Sequence, residues 1–213
     1  MRSRSLLLLV MLVTVVLAAP AATASTTHQT VTVNWHAQQA ALGNSGQVPG
    51  AWATLVRNQG GISFEISTTS LHPGHAYTLW LVVVNDPDAC STSPCAAPDI
   101  IGNPDTRSQV RYAAGTIAGG SGRGTLASSV REGPLSGWLD GRTLEDATTA
   151  EIHLVVNDHG PRLAEYLPGM IQTYRGGCSD ASPFPGIFPQ TALDDGEPGP
   201  NVCRLYQAAV FLP

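Results

Sequence analysis

Lysine is missing altogether from the 213 residues, so the 11 basic residues are all arginines, scattered singly along the chain. With 16 acidic residues and a formal net charge of -5, the sequence has no basic stripe to track phosphates or an anionic lipid surface, which argues against nucleic acid as a partner. A Gly-x-Ser-x-Gly nucleophile elbow is absent too, and with it a common signature of exported hydrolases. Long apolar runs are scarce. The longest, Leu6 to Leu17, falls short of the roughly 20 residues that a bilayer-spanning helix needs.

That run opens what is present. Arg2 and Arg4 precede it and the small-x-small triplet Ala22-Thr23-Ala24 follows, which is the grammar of a secretory signal over residues 1–24. Cleavage before Ser25 leaves residues 25–213 as one β-rich domain, secreted to the medium or the periplasm with no membrane anchor. Loss of Arg2 and Arg4 takes the basic count from 11 to 9 against 16 acids, a net charge of -7. All four cysteines lie in this mature part, and an even number in an exported chain points to disulfides. Of three connectivities, local pairing is preferred: Cys90 and Cys95 bracket a tight loop, and Cys178 and Cys203 bracket a Pro/Gly/Asp-rich excursion over residues 181–201. A four-cysteine zinc cage does not fit the spacing.

Period-two alternation dominates. Thr30–His36 turns Val31, Val33 and Trp35 to one face, and Ile62–Ser67 does the same with Ile62, Phe64 and Ile66. Asn58-Gln59-Gly60-Gly61 joins the second run to Trp52–Arg57 as a hairpin. His72-Pro73-Gly74-His75 reads as a type II turn that launches Tyr77–Val84, apolar on both faces and so a central, doubly covered strand. Val110–Ala118 and Gly124–Val130 are weaker strands around the glycine-rich tip 119–123, read as a hairpin. Glu151–Val156 is stopped by Asn157-Asp158-His159-Gly160-Pro161, residues 162–174 hold at most one short helix interrupted at Pro168-Gly169, and Leu205–Leu212 is the last strand. The expected fold is mainly β: an antiparallel β-sandwich or partly closed barrel, stapled by disulfides.

Candidate chemistry is sparse. The glycines at 119–124 lack the Lys-Ser/Thr and following helix of a phosphate loop. Asp86, Asp88, Asp158, Asp194, Asp195 and Glu197 sit in turns, where carboxylates commonly bond nearby amides, with calcium ligation or an acid/base pair as the alternative. Trp35, Trp52 and Trp80 lie in strands and read as packing residues, whereas Trp138, in a Gly/Pro-flanked loop, is the one expected to be exposed. The histidines gather near ends of the two best strands. His75, His153 and His159, with His72 as an alternate ligand, make a candidate zinc or copper set. The competing reading of the same histidines is surface or turn residues bonded to backbone.

The segments Trp80-Leu81-Val82-Val83-Val84-Asn85-Asp86-Pro87 with Cys90 and Cys95, and Ala150-Glu151-Ile152-His153-Leu154-Val155-Val156 leading to His159-Gly160-Pro161 and Gly176-Gly177-Cys178, resemble a group of uncharacterised secreted bacterial β-sandwich proteins. The resemblance implies a shared fold and export and brings no activity with it. The strand grammar and the Glu-Ile-His strand also resemble chordin-type and copper/zinc superoxide dismutase-like sandwiches, but the dismutase His-x-His copper pattern is missing.

The leading expectation is a non-catalytic exported module without a cofactor, binding a small ligand, surface polymer or protein through its loops. The alternative is a zinc- or copper-binding protein built on the histidine set, and a hydrolase using paired turn carboxylates ranks third.

Overall fold

The computed structural model describes residues 26–139, 142–179, 181 and 199–213. The signal segment, most of the 181–201 excursion, and Asp194, Asp195 and Glu197 lie outside the described residues. The strands are β1 (Thr27–Trp35), β2 (Gln47–Asn58), β3 (Gly61–Thr68), β4 (His75–Val84), β5 (Gln109–Ile117), β6 (Gly124–Arg131), the two-residue β7 (Gly133–Pro134) and β8 (Thr143–Leu144), β9 (Glu151–Pro161) and β10 (Arg204–Phe211). Two one-turn helices, α1 (Ala97–Gly102) and α2 (Leu167–Gln172), complete the set of named elements.

Eight strands form one sheet in the order β5-β4-β9-β10-β1-β2-β3-β6, and β7 pairs with β8 apart from it. Every neighbouring pair is antiparallel. The sheet is nearly closed: its edges β5 and β6 approach each other, while β1 and β10 share only the pairs Asn34–Ala208 and Trp35–Gln207. The result is a mainly β, partly closed barrel flattened into two four-stranded halves, stapled by Cys90–Cys95 and Cys178–Cys203. Both disulfides follow the local pairing that the loop spacing favours.

The inward face follows the period-two pattern. Tyr77, Leu79, Leu81 and Val83 of β4 meet Ile152, Leu154 and Val156 of β9 and Leu55, Phe64 and Ile66 of the opposite half, all buried. Each such side chain contributes about 1.5–3 kcal/mol relative to exposure. β4 is buried on its outer face as well, as a central strand should be. Arg57 is drawn into the core end at 1% exposure, where its guanidinium donates to the carbonyls of Ala147, Ala150, Phe211 and Leu212 and its Nε donates to Gln29. Burial lowers its pKa to about 10, so it stays charged at neutral pH.

Turn chemistry acts as read at two sites. Asn58 pairs with Gly61 to close the β2–β3 hairpin, and Gly74, at φ 80°, makes the turn in which the His75 amide donates to His72. Three expectations are corrected. β5 and β6 are not a hairpin: the glycine tip carries the chain from one sheet edge to the other, with β5 laddered to β4 and β6 to β3. β9 does not stop at Val156 but runs to Pro161, because Asn157 and Asp158 still find ladder partners in β4 and β10. Pro168 starts α2 rather than interrupting a helix, since the first helical turn needs no proline N–H, and α1, with Pro98 in its first turn, adds a second helix.

Candidate ligand pocket and the histidine sites

The outer face of β4, β9 and β10 carries a concave, mostly apolar surface. Trp80, Val82, His153, Val155, Ala208 and Val210 form its floor, because both β4 and β9 carry apolar side chains on their second face. Pro94–Ala97 and Ile100 and Ile101 of α1 cover it, while His36 and Trp138 stand at its sides. The cavity volume is about 300 Å³, and the cavity is partly open to solvent. No serine, threonine or free thiol lines it among the described residues.

One carboxylate organises this cavity. Glu151, 1% exposed, accepts from the Cys95 amide at 2.8 Å and from His153 Nε2 at 2.5 Å, both on Oε1. The same oxygen therefore ties the disulfide loop to β9 and holds the imidazole in place. His153 is 8% exposed, and its Nδ1 has no protein partner among the described residues, leaving it available to the cavity. His36 Nδ1 accepts from the Gln38 amide at 3.2 Å, which leaves Nε2 to carry the proton of the neutral ring; burial lowers the His36 pKa. The roof is fixed by Ser91, whose hydroxyl donates to Asp99 of α1 at 2.9 Å. Trp138 is half-buried rather than exposed: its amide donates to Val110 at 2.8 Å and its ring meets Tyr174. Trp52, read as a packing residue, is instead 41% exposed on the outer face of β2.

The candidate metal set does not assemble. His153 and His159 lie six residues apart on β9, about 20 Å along an extended strand. His75 belongs to another cluster, at the barrel end, where its Nδ1 meets both oxygens of Asp158 at 3.0 and 3.2 Å. The Asp158 carboxylate also accepts from the Gly160 amide at 2.8 Å, the nearby-amide bond expected of it, and from the Tyr77 hydroxyl at 3.3 Å, so the same group serves as a wider acceptor site. Burial and the Asp158 charge push Tyr77 well above the ordinary tyrosine pKa and raise Tyr206 to about 12. The alternate ligand His72 lies beside His75, with ring centroids 5.0 Å apart.

His159 is fully buried against the second disulfide. Trp80 Nε1 donates to Thr78 Oγ1 at 3.0 Å, so the threonine hydroxyl is free to donate to His159 Nε2 at 2.7 Å. Nδ1 then carries the proton and faces the sulfurs of Cys178 and Cys203 at 3.5 and 3.4 Å. Burial depresses this imidazole to a pKa of about 3, so it is neutral. His159, Cys178 and Cys203 are the only described group of three with metal-ligand proximity, but both sulfurs are committed to the disulfide and offer no thiolate.

The chain matches no protein-family model, no curated protein and no solved structure. No described helix is long and apolar enough to cross a membrane.

Proposed function

We propose that the protein is an exported, non-catalytic module that binds one small, mostly apolar molecule in the cavity beneath the Cys90–Cys95 loop. The observation that carries this is a buried polar group, His153 held by Glu151, set in a cavity whose walls are otherwise tryptophan, proline, cystine and aliphatic side chains, apart from His36 at its side. Specific small-molecule sites have that composition, with apolar walls for affinity and a few placed polar groups for orientation, and about 300 Å³ is the lower end of their size range. The ligand is compact and carries one hydrogen-bonding group for His153, with the His36 Nε2–H as a second contact. That no serine, threonine or free thiol lines the cavity among the described residues favours binding over covalent catalysis at a hydroxyl or thiol. The two disulfides are compatible with an extracellular or periplasmic location. A resemblance to secreted bacterial and superoxide dismutase-like sandwiches is part of this proposal, and the connectivity is compatible with it in the general way that it suits most β-sandwiches. With the β5–β6 seam counted as adjacency, β3 to β6 follow a Greek key.

Trp80 and Trp138 make the test direct. A fragment library of small apolar acids, phenols and amides, followed by tryptophan fluorescence and NMR, should yield ligands that perturb both rings. Ala208→Trp, which fills the floor, should abolish their binding without moving the thermal midpoint by more than a few degrees. Hits that bind the filled variant as well as the parent, or a library without hits, would defeat the reading.

A further inference from the structure

The His72–His75 turn carries a site independent of the pocket. Asp158 receives the Nδ1 side of the His75 ring, so the imidazole is held in one orientation with Nε2 turned away from the carboxylate. His75 is partly exposed at the barrel end, and neither its Nε2 nor either ring nitrogen of His72 has a hydrogen-bond partner among the described residues. Pro73-Gly74 folds the chain back so that the two rings lie 5.0 Å apart, centroid to centroid, at 43°. Metal–nitrogen bonds are about 2.0 Å, and adding the ring radius on each arm puts two imidazoles on one tetrahedral ion about 5 Å apart. The Tyr206 ring beside His72, at 5.7 Å, and the Tyr77 ring beside His75, at 6.4 Å, hold the two imidazoles at this spacing, which is the one a shared ion needs. A carboxylate behind a ligating imidazole is the usual outer partner of such sites, because it fixes the tautomer that leaves Nε2 as the donor atom.

We propose that His72 and His75 chelate one divalent transition-metal ion of the zinc class at the lip of the barrel, with Asp158 as the positioning residue behind His75. Two protein ligands leave the remaining coordination positions to solvent, so the ion is exchangeable and held at micromolar rather than nanomolar strength.

The experiment is a calorimetric titration of the tag-free, disulfide-bonded chain with zinc chloride, followed in parallel by the histidine ring resonances in NMR. The expected result is one ion per chain, shifts confined to His72 and His75, and an affinity cut at least tenfold in His72→Ala and in His75→Ala. His72 is exposed and its ring meets only the neighbouring His75 and Tyr206 rings, while its backbone amide bond to Tyr77 survives truncation, so its variant is expected to fold. Asp158→Asn should weaken zinc binding by about tenfold or more. Ala208→Trp should leave the titration unchanged, which separates this site from the pocket. No heat up to about 1 mM zinc, or a His72→Ala/His75→Ala double variant that titrates like the parent, would overturn the proposal.

Discussion

His153 and His159 occupy the same strand and the same outward face of the sheet, six residues apart, yet their surroundings are opposites. Around His153 the covering layer is a short disulfide loop ending in Ala96 and Ala97, small side chains that leave a cavity above the imidazole. Around His159 the cover is the Cys178–Cys203 bridge and the segment leading to it. Gly176 lies there so close to Gly169 and Met170 that no side chain would fit. One end of β9 borders a cavity and the other is sealed. The difference teaches that the strand supplies the imidazoles and the covering loops decide what each can do.

Acid should separate the two ends most strongly. His159 is neutral in the folded protein down to a pKa of about 3, whereas in the unfolded chain it takes up a proton near 6.5. Between those values the unfolded state binds one proton more, so stability present above pH 6.5 is lost as pH falls, by about 1.4 kcal/mol per pH unit from this group. Urea denaturation from pH 7 to pH 4, compared with His159→Gln, should show the steeper decline in the parent; parallel curves would mean that the sealed end admits water.

The disulfides come next. Removing Cys178–Cys203, which spans 25 residues, should cost about 3.5 kcal/mol by chain entropy, and removing Cys90–Cys95, which spans five, about 2 kcal/mol. The smaller loss should carry the larger functional effect, because the Cys90–Cys95 loop roofs the cavity. Paired serine variants assayed by denaturation and by ligand titration check both halves of that statement.

Single substitutions sharpen the contrast further. His159→Ala should destabilise by about 3 kcal/mol, since it opens a void and strands the Thr78 hydroxyl. His153→Ala should cost less, about 2 kcal/mol, because the buried Glu151 carboxylate loses one donor but keeps the Cys95 amide, yet it should lower ligand affinity by tenfold or more. Equal stability losses at the two positions would erase the distinction between a sealed and an open end.

Much of the barrel was legible because it is written locally. Alternation at Ile62–Ile66 names the inward face, Asn58–Gly61 names a hairpin, and the apolar second face of Tyr77–Val84 announces a covered strand. Partner choice beyond a turn was not legible. The glycines at 119–122 suit a hairpin tip, but a flexible tip carries no information about which strand its neighbours pair with, and β5 pairs with β4 instead. In the candidate sites, Trp138 drew notice from its loop context, whereas His36 and Ala208 gave no signal, being ordinary residues until distant segments close over them. Asp158 looked like a turn former and serves as an anchor for His75.

By itself the amino-acid sequence determined the β class, the local disulfide pairing and the inward-facing half of each main strand, since these depend on residues close together in the chain. Only the tertiary structure decided that His75, His153 and His159 stand apart, that a cavity opens over His153, and that His159 is entombed. Those outcomes depend on which loops cover the outer face, and that is settled by contacts between segments up to about 170 residues apart, through shape and hydrogen bonding that no local pattern encodes.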